Sequence, residues 1–510
     1  MSSAMPVLTT LKSDWKTISE APILGKDVLE LLSSSMYVNP LSIYREYVQN
    51  ATDSIEEAVS LGYLRRASEG TVEITVDSQR RTIRIRDNGT GVPEKEFVRR
   101  LIALGASRKR GHKARGFRGV GRLAGLGYCQ ELVFRSRAEG ERHINELRWD
   151  CRKLKEILRD PQFSEQLGEL IRDVVRYRKS VDVKYPERFF EVELVNVVRH
   201  GADKLMNASL VSNYLSQVAP VPLAPDFKFA EKIEVALSKY VMMGNISISI
   251  NDGVPIYRPH RDSFLARKGH EDSFADVEII EILGNNGNVS AIGWIAHHSY
   301  YGAISEEAKL PGLRLRSGNV QVGESNLLND LFQEPRFNSW TVGEVHVLDE
   351  RILPNGRRDD FEQSVHFNDL LGHLGPLTAR ITKLCRQSSI QRNRAKRVEG
   401  LFQSIENALS ILEQHSITRV NWGAMRVNSV SKLNELTKLL AREESEAHEE
   451  DWTARLKKLQ KRIGALGEVP SAPRNLVLTT RERKIFDALY EVLPGQSAKQ
   501  IADQILSKIR

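Results

Sequence analysis

The sequence Arg45-Glu-Tyr-Val-Gln-Asn-Ala-Thr-Asp53 decides how the N-terminal part of this chain is interpreted. Glu46, Asn50 and Asp53 are spaced i, i+4 and i+7, so on a helix, which turns about 100° per residue, they project from one side. An amide oxygen ligates a hard cation such as Mg²⁺, and a carboxylate can take a proton from an attacking water. The stretch therefore predicts a magnesium–nucleotide site on a helix face, although the triplet alone also fits a solvated face.

A second motif follows an alternating apolar and polar pattern at residues 71–86, which predicts a β-hairpin. The hairpin leads directly into Asp87-Asn-Gly89-Thr-Gly91. Glycines in such a turn adopt positive φ and let a planar base approach the backbone. An aspartate at the strand end can accept a hydrogen bond from an exocyclic amino group. Taken alone, Asp-Asn-Gly is also a common turn sequence.

The third motif is Gly116-Phe-Arg-Gly119-Val-Gly121, followed by an apolar run. A glycine-rich loop that leads into a helix N-terminus binds anions through its backbone N–H groups and the helix dipole. The alternative, a dinucleotide fingerprint, requires a strand immediately before the loop. Residues 105–115 are instead glycine-rich and basic, which predicts a lid that brings positive charge to a triphosphate.

The order of these three motifs resembles the GHKL ATPases, the class named after gyrase, heat-shock chaperones, histidine kinases and MutL. The resemblance is closest to the ninety-kilodalton heat-shock chaperones, whose pattern of helix, tyrosine, asparagine and then R-E-L-I-x-N-A-x-D-A is similar to residues 33–58. It implies ATP and Mg²⁺ as cofactors and covers roughly residues 24–365.

The resemblance also implies a role for each motif residue. Glu46 would position or deprotonate the attacking water, Asn50 would ligate Mg²⁺, and Asp53 would support the metal and the ribose side through water. Asp87 would bind the adenine amino group. The other nucleotide-binding residues that it implies are Gly89 and Gly91 in the turn, Ser107 and Lys109 in the lid, and Gly116, Gly119, Val120 and Gly121 around the phosphates.

A fourth region, residues 313–363, resembles the middle domain of these chaperones, where a loop after a strand presents an arginine to the γ-phosphate. The matching arginine here is Arg358, and because one residue is missing after Pro354, Arg357 is its rival. A guanidinium suits this task since it stays charged and its planar fork matches phosphate oxygens. The alternative is a surface cluster in which residues 357–360 pair with one another.

Two features depart from the chaperone pattern. The Gly-Thr pair that starts the last strand of the nucleotide domain is absent from the corresponding region, Phe189-Phe190-Glu191. The chain after residue 375 does not resemble the chaperones' C-terminal dimerisation domain. We therefore expect a divergent relative of the chaperones.

We expect an α+β fold with four parts. These are an N-terminal GHKL (Bergerat) α/β sandwich at 1–218, a mixed α/β middle domain at 219–375, a helical arm or coiled coil at 376–467, and a small helical segment at 475–510. The basic run at 380–397 either contacts nucleic acid backbone or is a solvated helix that pairs with the acidic run at 443–451.

The composition bounds the function. The chain has 510 residues, a net charge of +8 and three well-separated cysteines, which argues against a disulfide framework or a zinc site. We expect a cytoplasmic protein without a membrane segment. The expected function is an ATP-hydrolysing conformational machine that forms a homodimer and acts on a protein client or DNA. The alternative is a nucleotide-sensing binding module with little hydrolysis, whereas a histidine kinase is disfavoured by the lack of a phosphoacceptor helix.

The substitution Asp87→Asn tests the predicted site at its adenine end. An amide presents a donor where the adenine amino group needs an acceptor, so we expect Mg-ATP affinity to fall by at least about tenfold, since an unmatched polar contact costs about 1–3 kcal/mol. Isothermal titration calorimetry measures this directly. Unaltered binding would remove Asp87 from the site.

Overall fold

The computed structural model describes most of the chain after residue 38. The described residues are 39–104, 121–160, 166–241, 243, 246–266, 269–285, 287–414, 419–441, 449–467, 480–492, 500–501 and 504–505. Five predicted site residues, Ser107, Lys109, Gly116, Gly119 and Val120, lie outside these ranges. The chain divides into two compact units, the first extending to Arg380 and the second comprising residues 300–302 and 381 onward.

A seven-stranded sheet forms the base of the N-terminal domain, and its strand order is β5-β4-β3-β6-β2-β1-β7. Neighbouring strands are antiparallel except for β1 and β7, which are parallel. The strands are β1 Thr71–Asp77, β2 Thr82–Asp87, β3 Glu131–Arg137, β4 Ile144–Asp150, β5 Val175–Ser180, β6 Phe189–Val195 and β7 Ser247–Ile250.

Helices cover one face of this sheet. They are α1 Ser42–Ser60, α2 Glu94–Ile102, α3 Cys151–Arg159, α4 Leu167–Val174 and α5 Ala208–Val218. Side chains of β1 and β2 alternate between buried and more exposed positions, because successive residues of a strand face opposite sides. The buried ones form a single core with residues of all five helices. The result is the predicted α/β sandwich.

The opposite face of the sheet carries charged side chains that pair across the strands. The Glu191 side chain is fully buried there and lies 2.6 Å from Arg86 and 2.9 Å from Arg135. A carboxylate without solvent needs such partners. The Phe189–Glu191 region, where the chaperone Gly-Thr pair is missing, is thus the start of the central strand β6.

Strand β7 joins the first sheet from a distant part of the sequence. Residues 219–375 were expected to form the middle domain, but Ser247–Ile250 within that range pairs with Thr71–Ile74 of β1. The first sheet therefore includes chain from beyond residue 218.

A five-stranded sheet follows, with strand order β10-β11-β14-β12-β13. Its strands are β10 Asp276–Leu283, β11 Val289–His297, β12 Gly312–Ser317, β13 Val320–Val322 and β14 Val342–Val347, and a separate pair consists of β8 Ser263–Leu265 and β9 Glu271–Ser273. Helix α6, Ala230–Ser238, packs against the sheet through Ile233 and Leu237. The mixed α/β character expected for this region is confirmed.

The rest of the described chain is helical, as predicted. The helices are α7 Val365–Glu413, α8 Arg419–Leu440, α9 Glu449–Ala465 and α10 Thr480–Val492. In the second unit, Phe402, Trp422, Leu436 and Leu459 share one core.

The basic run on α7 is partly used in packing. Arg397 lies 2.6 Å from Glu435 and Arg394 donates to the Leu439 carbonyl at 3.0 Å, both on α8. Its predicted partner, the acidic run at 443–451, lies largely outside the described residues.

Two further expectations concern cysteines and membranes. Cys129, Cys151 and Cys385 are all buried and are not disulfide-bonded. Of the helices that the structure describes, none combines the length and the apolar character that crossing a bilayer requires.

Gly91 in the turn after β2 provides a stability test with a matched control. Its φ is +67°, and a Cβ there would lie 2.5 Å from the Arg137 carbonyl oxygen, whereas Gly140, with φ of +77°, has open space around it. Both Ala variants lose roughly 1–2 kcal/mol from the left-handed backbone, and Gly91→Ala loses about 1–3 kcal/mol more from the steric overlap. Urea unfolding followed by tryptophan fluorescence compares the two. Equal losses would contradict the close approach at Gly91.

Candidate functional site

Helix α1 carries the first motif on a different face from apolar residues such as Tyr47 and Ala51, which pack into the core of the first sheet. Glu46 and Asp53 are each only 7% exposed, and Asn50 is half-buried. Two tyrosines hold the helix in place, since the Tyr44 hydroxyl donates to the Leu205 carbonyl at 2.7 Å and the Tyr47 hydroxyl accepts from the Gly125 N–H at 2.9 Å. The three polar side chains therefore project from a rigidly held helix.

The Asn50 side chain has no hydrogen-bond partner within the described part of the chain. Among those residues there is also no group of three or more His, Cys, Asp or Glu side chains that would hold a metal ion. A lone amide oxygen suits Mg²⁺, which keeps several waters and takes other ligands from substrate phosphates. Asn50 thus fits a metal that arrives with a polyphosphate.

The turn after β2 packs against the same helix. Asp87 lies on the helix-covered face of β2 and is 5% exposed, and its Oδ1 accepts a hydrogen bond from the Gly89 N–H at 2.9 Å. Ser54 of α1 accepts from the Thr90 N–H at 3.0 Å. A Cβ on Gly89 would overlap Ser54, so the close approach of turn and helix requires glycine there.

Burial raises the pKa of Asp87 to about 7, although hydrogen bonds from Gly89 and Ser54 and the charge of Arg188 act in the opposite direction. A desolvated carboxylate is costly unless a donor compensates its charge. Asp87 is therefore ready to receive a hydrogen-bond donor from a ligand. On the neighbouring strand, Phe190 is its partner in register, so an aromatic residue stands beside Asp87.

Gly121, the last glycine of the third motif, lies against Glu46. A Cβ on Gly121 would collide with Glu46 Oε2. Arg122, which follows the segment 105–120, donates from its guanidinium to the carbonyl of Ala103, which precedes that segment, at 2.7 Å. Burial, aided by the charge of Arg100, lowers the pKa of Arg122 to about 10. The two ends of the predicted lid are thus tied together next to α1.

The arginine from the middle domain reaches this helix. In the turn at 353–362, Pro354 and Phe361 form a β-bridge and the Asn355 N–H donates to the Asp360 carbonyl at 2.9 Å. Arg358 Nε lies 3.5 Å from Glu46 Oε1, and its guanidinium also donates to the Gln49 side-chain oxygen. The turn therefore brings a cation to the carboxylate predicted to handle the attacking water.

Arg357 points elsewhere. Its side chain is 53% exposed and its Nε lies 3.3 Å from Asp359 Oδ2. The surface ion-pair arrangement considered for residues 357–360 thus describes Arg357, while Arg358 is only 13% exposed next to Glu46. The assignment of an arginine to a γ-phosphate stays a prediction, and the geometry favours Arg358.

Two residues of α1 were missed by the motif pattern. Arg45 donates to the Arg357 carbonyl at 2.8 Å and the Arg358 carbonyl at 3.4 Å, and it lies 3.5 Å from Glu46. Gln49 accepts from Arg358. Arg45 and Gln49 are spaced i, i+4 and so form one row on the helix surface. The i, i+4 spacing could have indicated that the two side chains act together, but the E-x-x-x-N-x-x-D motif does not include either position.

Comparison with known proteins supports the same interpretation. Residues 42–172 match the family described as histidine kinase-, DNA gyrase B-, and HSP90-like ATPase. The matched segment contains α1, the turn at 87–91 and Gly121, but it ends before the second sheet.

Similar curated proteins are bacterial chaperone proteins HtpG. The one from Mycolicibacterium gilvum is 32% identical over 88 residues, which is 16% of this chain and 14% of the relative. The one from Natranaerobius thermophilus is 22% identical over 200 residues, or 35% and 31% of the two chains, and that from Escherichia coli O1:K1 / APEC is 28% identical over 142 residues, or 24% and 23%. In these three comparisons the match spans between 14% and 31% of the relative's length.

The pKa of Asp87 predicts a pH dependence of ligand binding. A ligand amino group donates more strongly to the ionised carboxylate than to the protonated carboxyl, and with a pKa of about 7 the ionised form is lost as pH falls. We therefore expect ATP affinity to be constant above pH 8 and to weaken below pH 7, by up to about tenfold per pH unit. Calorimetry from pH 5.5 to 8.5 measures this slope. Asp87→Asn must remove the slope; a slope that persists in the variant belongs to another group, such as the phosphate of the ligand.

Proposed function

We propose that this chain, whose N-terminal domain belongs to the GHKL ATPases close to the ninety-kilodalton heat-shock chaperone family, binds Mg-ATP and hydrolyses it slowly. One observation carries the hydrolytic part of the proposal, namely the approach of Arg358 Nε to within 3.5 Å of Glu46 Oε1. A residue far down the chain completes the site around α1 with a cation. A site that only holds a nucleotide does not need this pairing of carboxylate and guanidinium.

The binding residues divide the ligand among them. Asp87 would accept from the adenine amino group, and Asn50 would ligate Mg²⁺ while Asp53 acts through water. Gly89 and Gly91 would allow the base to approach, and Gly121, with Gly116, Gly119 and Val120, would surround the phosphates through backbone N–H groups. Ser107 and Lys109 would reach the nucleotide from the lid.

The chemical step would fall to Glu46 and Arg358. Glu46 Oε1 faces the guanidiniums of Arg45 and Arg358 at 3.5 Å each. A γ-phosphate carries more negative charge than a carboxylate, so it competes for Arg358, whose planar fork matches phosphate oxygens. When Arg358 turns to the phosphate, Glu46 is relieved of one cation and can orient or deprotonate the attacking water. Arg358 would then stabilise the charge that develops in phosphoryl transfer.

The same arrangement would connect ATP to conformational change. Arg358 lies in a turn that follows the second sheet, so binding of the γ-phosphate would pull on the middle domain as well as on the lid. By the resemblance to the chaperones, lid closure would drive association of two chains through their N-terminal domains. We propose a homodimer that acts on a protein client or on DNA.

A binding module with little hydrolysis is the second candidate. The observation that favours it is the double contact of Glu46 Oε1 with Arg45 and Arg358. If neither guanidinium leaves, the carboxylate cannot reach a water through that oxygen. ATP would then act as a structural switch.

Glu46→Ala separates the two candidates. For an ATPase, we expect ATP affinity within about twofold of the wild type and turnover reduced by at least about 10²-fold, because a positioned general base contributes 10²–10⁴-fold. Calorimetry gives the first quantity and a coupled phosphate-release assay the second. Glu46→Gln, which keeps the shape, serves as the matched variant. A wild-type protein that binds ATP without turnover above background supports the binding module.

Stimulation of turnover identifies the class of macromolecular partner. We expect the phosphate-release rate of the wild-type protein to rise with either added double-stranded DNA or an unfolded protein, but not with both. Glu46→Gln with the same additions is the control for contaminating ATPases. If neither addition changes the rate, both proposed partner classes lose support.

A further inference from the structure

The turn that carries Arg358 is held by Gly323, which directly follows β13. The Gly323 N–H donates to the Arg358 carbonyl at 2.9 Å. The Gly323 carbonyl in turn accepts from the Gln321 side-chain amide, also at 2.9 Å. A single residue thus connects the backbone of Arg358 to the side chain of Gln321.

Gln321 is itself fixed at both ends of its amide. It is 4% exposed, and its Oε1 accepts from Arg314 Nη1 at 3.2 Å. Arg314 is also 4% exposed and donates to the Lys309 carbonyl at 2.7 Å. Because buried polar groups are costly without partners, these contacts allow the Gln321 amide little freedom, and β12 and β13 hold it in place.

The distance between Gly323 and the arginine turn is short. Gly323 has a φ of +70°, and a Cβ there would lie 2.9 Å from the Asp359 carbonyl oxygen and 2.7 Å from Leu327 Cδ2. A displacement of Gly323 is therefore transmitted to residues 358 and 359 by direct contact as well as through the hydrogen bond.

Arg358 needs such support because its backbone is strained. Its φ of 56° lies in the left-handed region, which a residue with a Cβ occupies only when its surroundings enforce it. Arg45 contacts the Arg357 and Arg358 carbonyls from the side of α1. Gly323 contacts the Arg358 carbonyl from the side of the second sheet.

We propose that Gln321 is a positioning residue for Arg358, acting through Gly323; this inference rests on the proposed ATP hydrolysis. Gln321 does not touch the nucleotide site. Gln321 fixes the position of the turn at 353–362 relative to the second sheet. This position determines where the guanidinium of Arg358 would contact a γ-phosphate. Without Gln321 the turn relaxes and Arg358 stays charged but misplaced.

Kinetics of Gln321→Met test the proposal, since methionine keeps the volume and removes both hydrogen bonds. We expect kcat to fall about tenfold, because misplacing a group by 1 Å can cost up to about 10²-fold, while the ATP dissociation constant and KM change less than about twofold. Arg358→Ala must lower kcat at least as much. The double variant must have the same kcat as Arg358→Ala alone. If Gln321 acts only by positioning Arg358, its loss has no further effect once the Arg358 side chain is gone.

Thr341→Val is the matched structural control. Thr341 is fully buried in the same domain, and its hydroxyl donates to the Phe337 carbonyl at 3.0 Å, away from the arginine turn. It loses one buried hydrogen bond, as any merely structural lesion would. We expect the kcat of Thr341→Val to stay within about twofold of the wild type, a much smaller change than the decrease expected for Gln321→Met.

Hydrogen exchange by mass spectrometry gives a readout that needs no turnover. Peptides covering 353–362 must exchange faster in Gln321→Met than in wild type, and not in Thr341→Val. Unchanged exchange, an unchanged kcat, or factors that multiply in the double variant would overturn the role of Gln321 while leaving the proposed function intact. If Arg358→Ala hydrolyses ATP at the wild-type rate, the role proposed for Arg358 fails, and the positioning role of Gln321 with it.

Discussion

The contact between Glu46 and Arg358 is the constraint on which the rest of the site depends. Both groups are almost buried, at 9% and 13% side-chain exposure, and they come from different domains of the first unit. Two opposite charges withdrawn from water must stay close together, because separating them would leave each without compensation. The ion pair therefore fixes the position of helix α1 relative to the turn at 353–362. The strained backbone of Arg358, the carbonyl contacts of Arg45 and the support from Gly323 all serve this one approach.

A second set of buried charges fixes the segment that connects the domains. Arg258 and Arg316 both pair with Glu344, and all three are at most 1% exposed. The same arginines also donate to the carbonyls of Val221 at 3.1 Å and Gln217 at 2.6 Å, which lie at and just after the end of α5. Removing one of the three side chains would leave a buried charge without its partner. The cluster therefore favours one arrangement of the connecting segment on the second sheet. The turn that carries Arg358 follows β14 of that sheet along the chain.

The sequence predicted the local parts of this site well, since the helix, the hairpin and the glycine turn follow from periodicity and turn chemistry over short stretches. Arg358 was harder, because its choice over Arg357 depends on a left-handed residue in a turn one residue shorter than the chaperone pattern. The partners of Arg45 are backbone carbonyls in a distant segment, and no spacing rule predicts them. The pairing of β7 with β1 was not predictable, because strand pairing over such a sequence separation leaves no local signal. The roles of Asn50, Asp53 and Asp87 remain predictions from the motif.

The parallel pairing of β7 with β1 also determines where this protein can be cut. Ser247–Ile250 covers the open edge of β1, and an uncovered strand edge offers free N–H and C=O groups to other chains. A fragment ending at residue 218 would expose that edge and would tend to self-associate. A longer fragment through Ile256, whose N–H donates to the Ile248 carbonyl at 2.8 Å, would cover the edge but expose Ile233 and Leu237 of α6, which pack into the core of the second sheet. Separating the two sheets therefore uncovers either a strand edge or apolar surface, so the first sheet and the second are expected to be stable only when they are produced together.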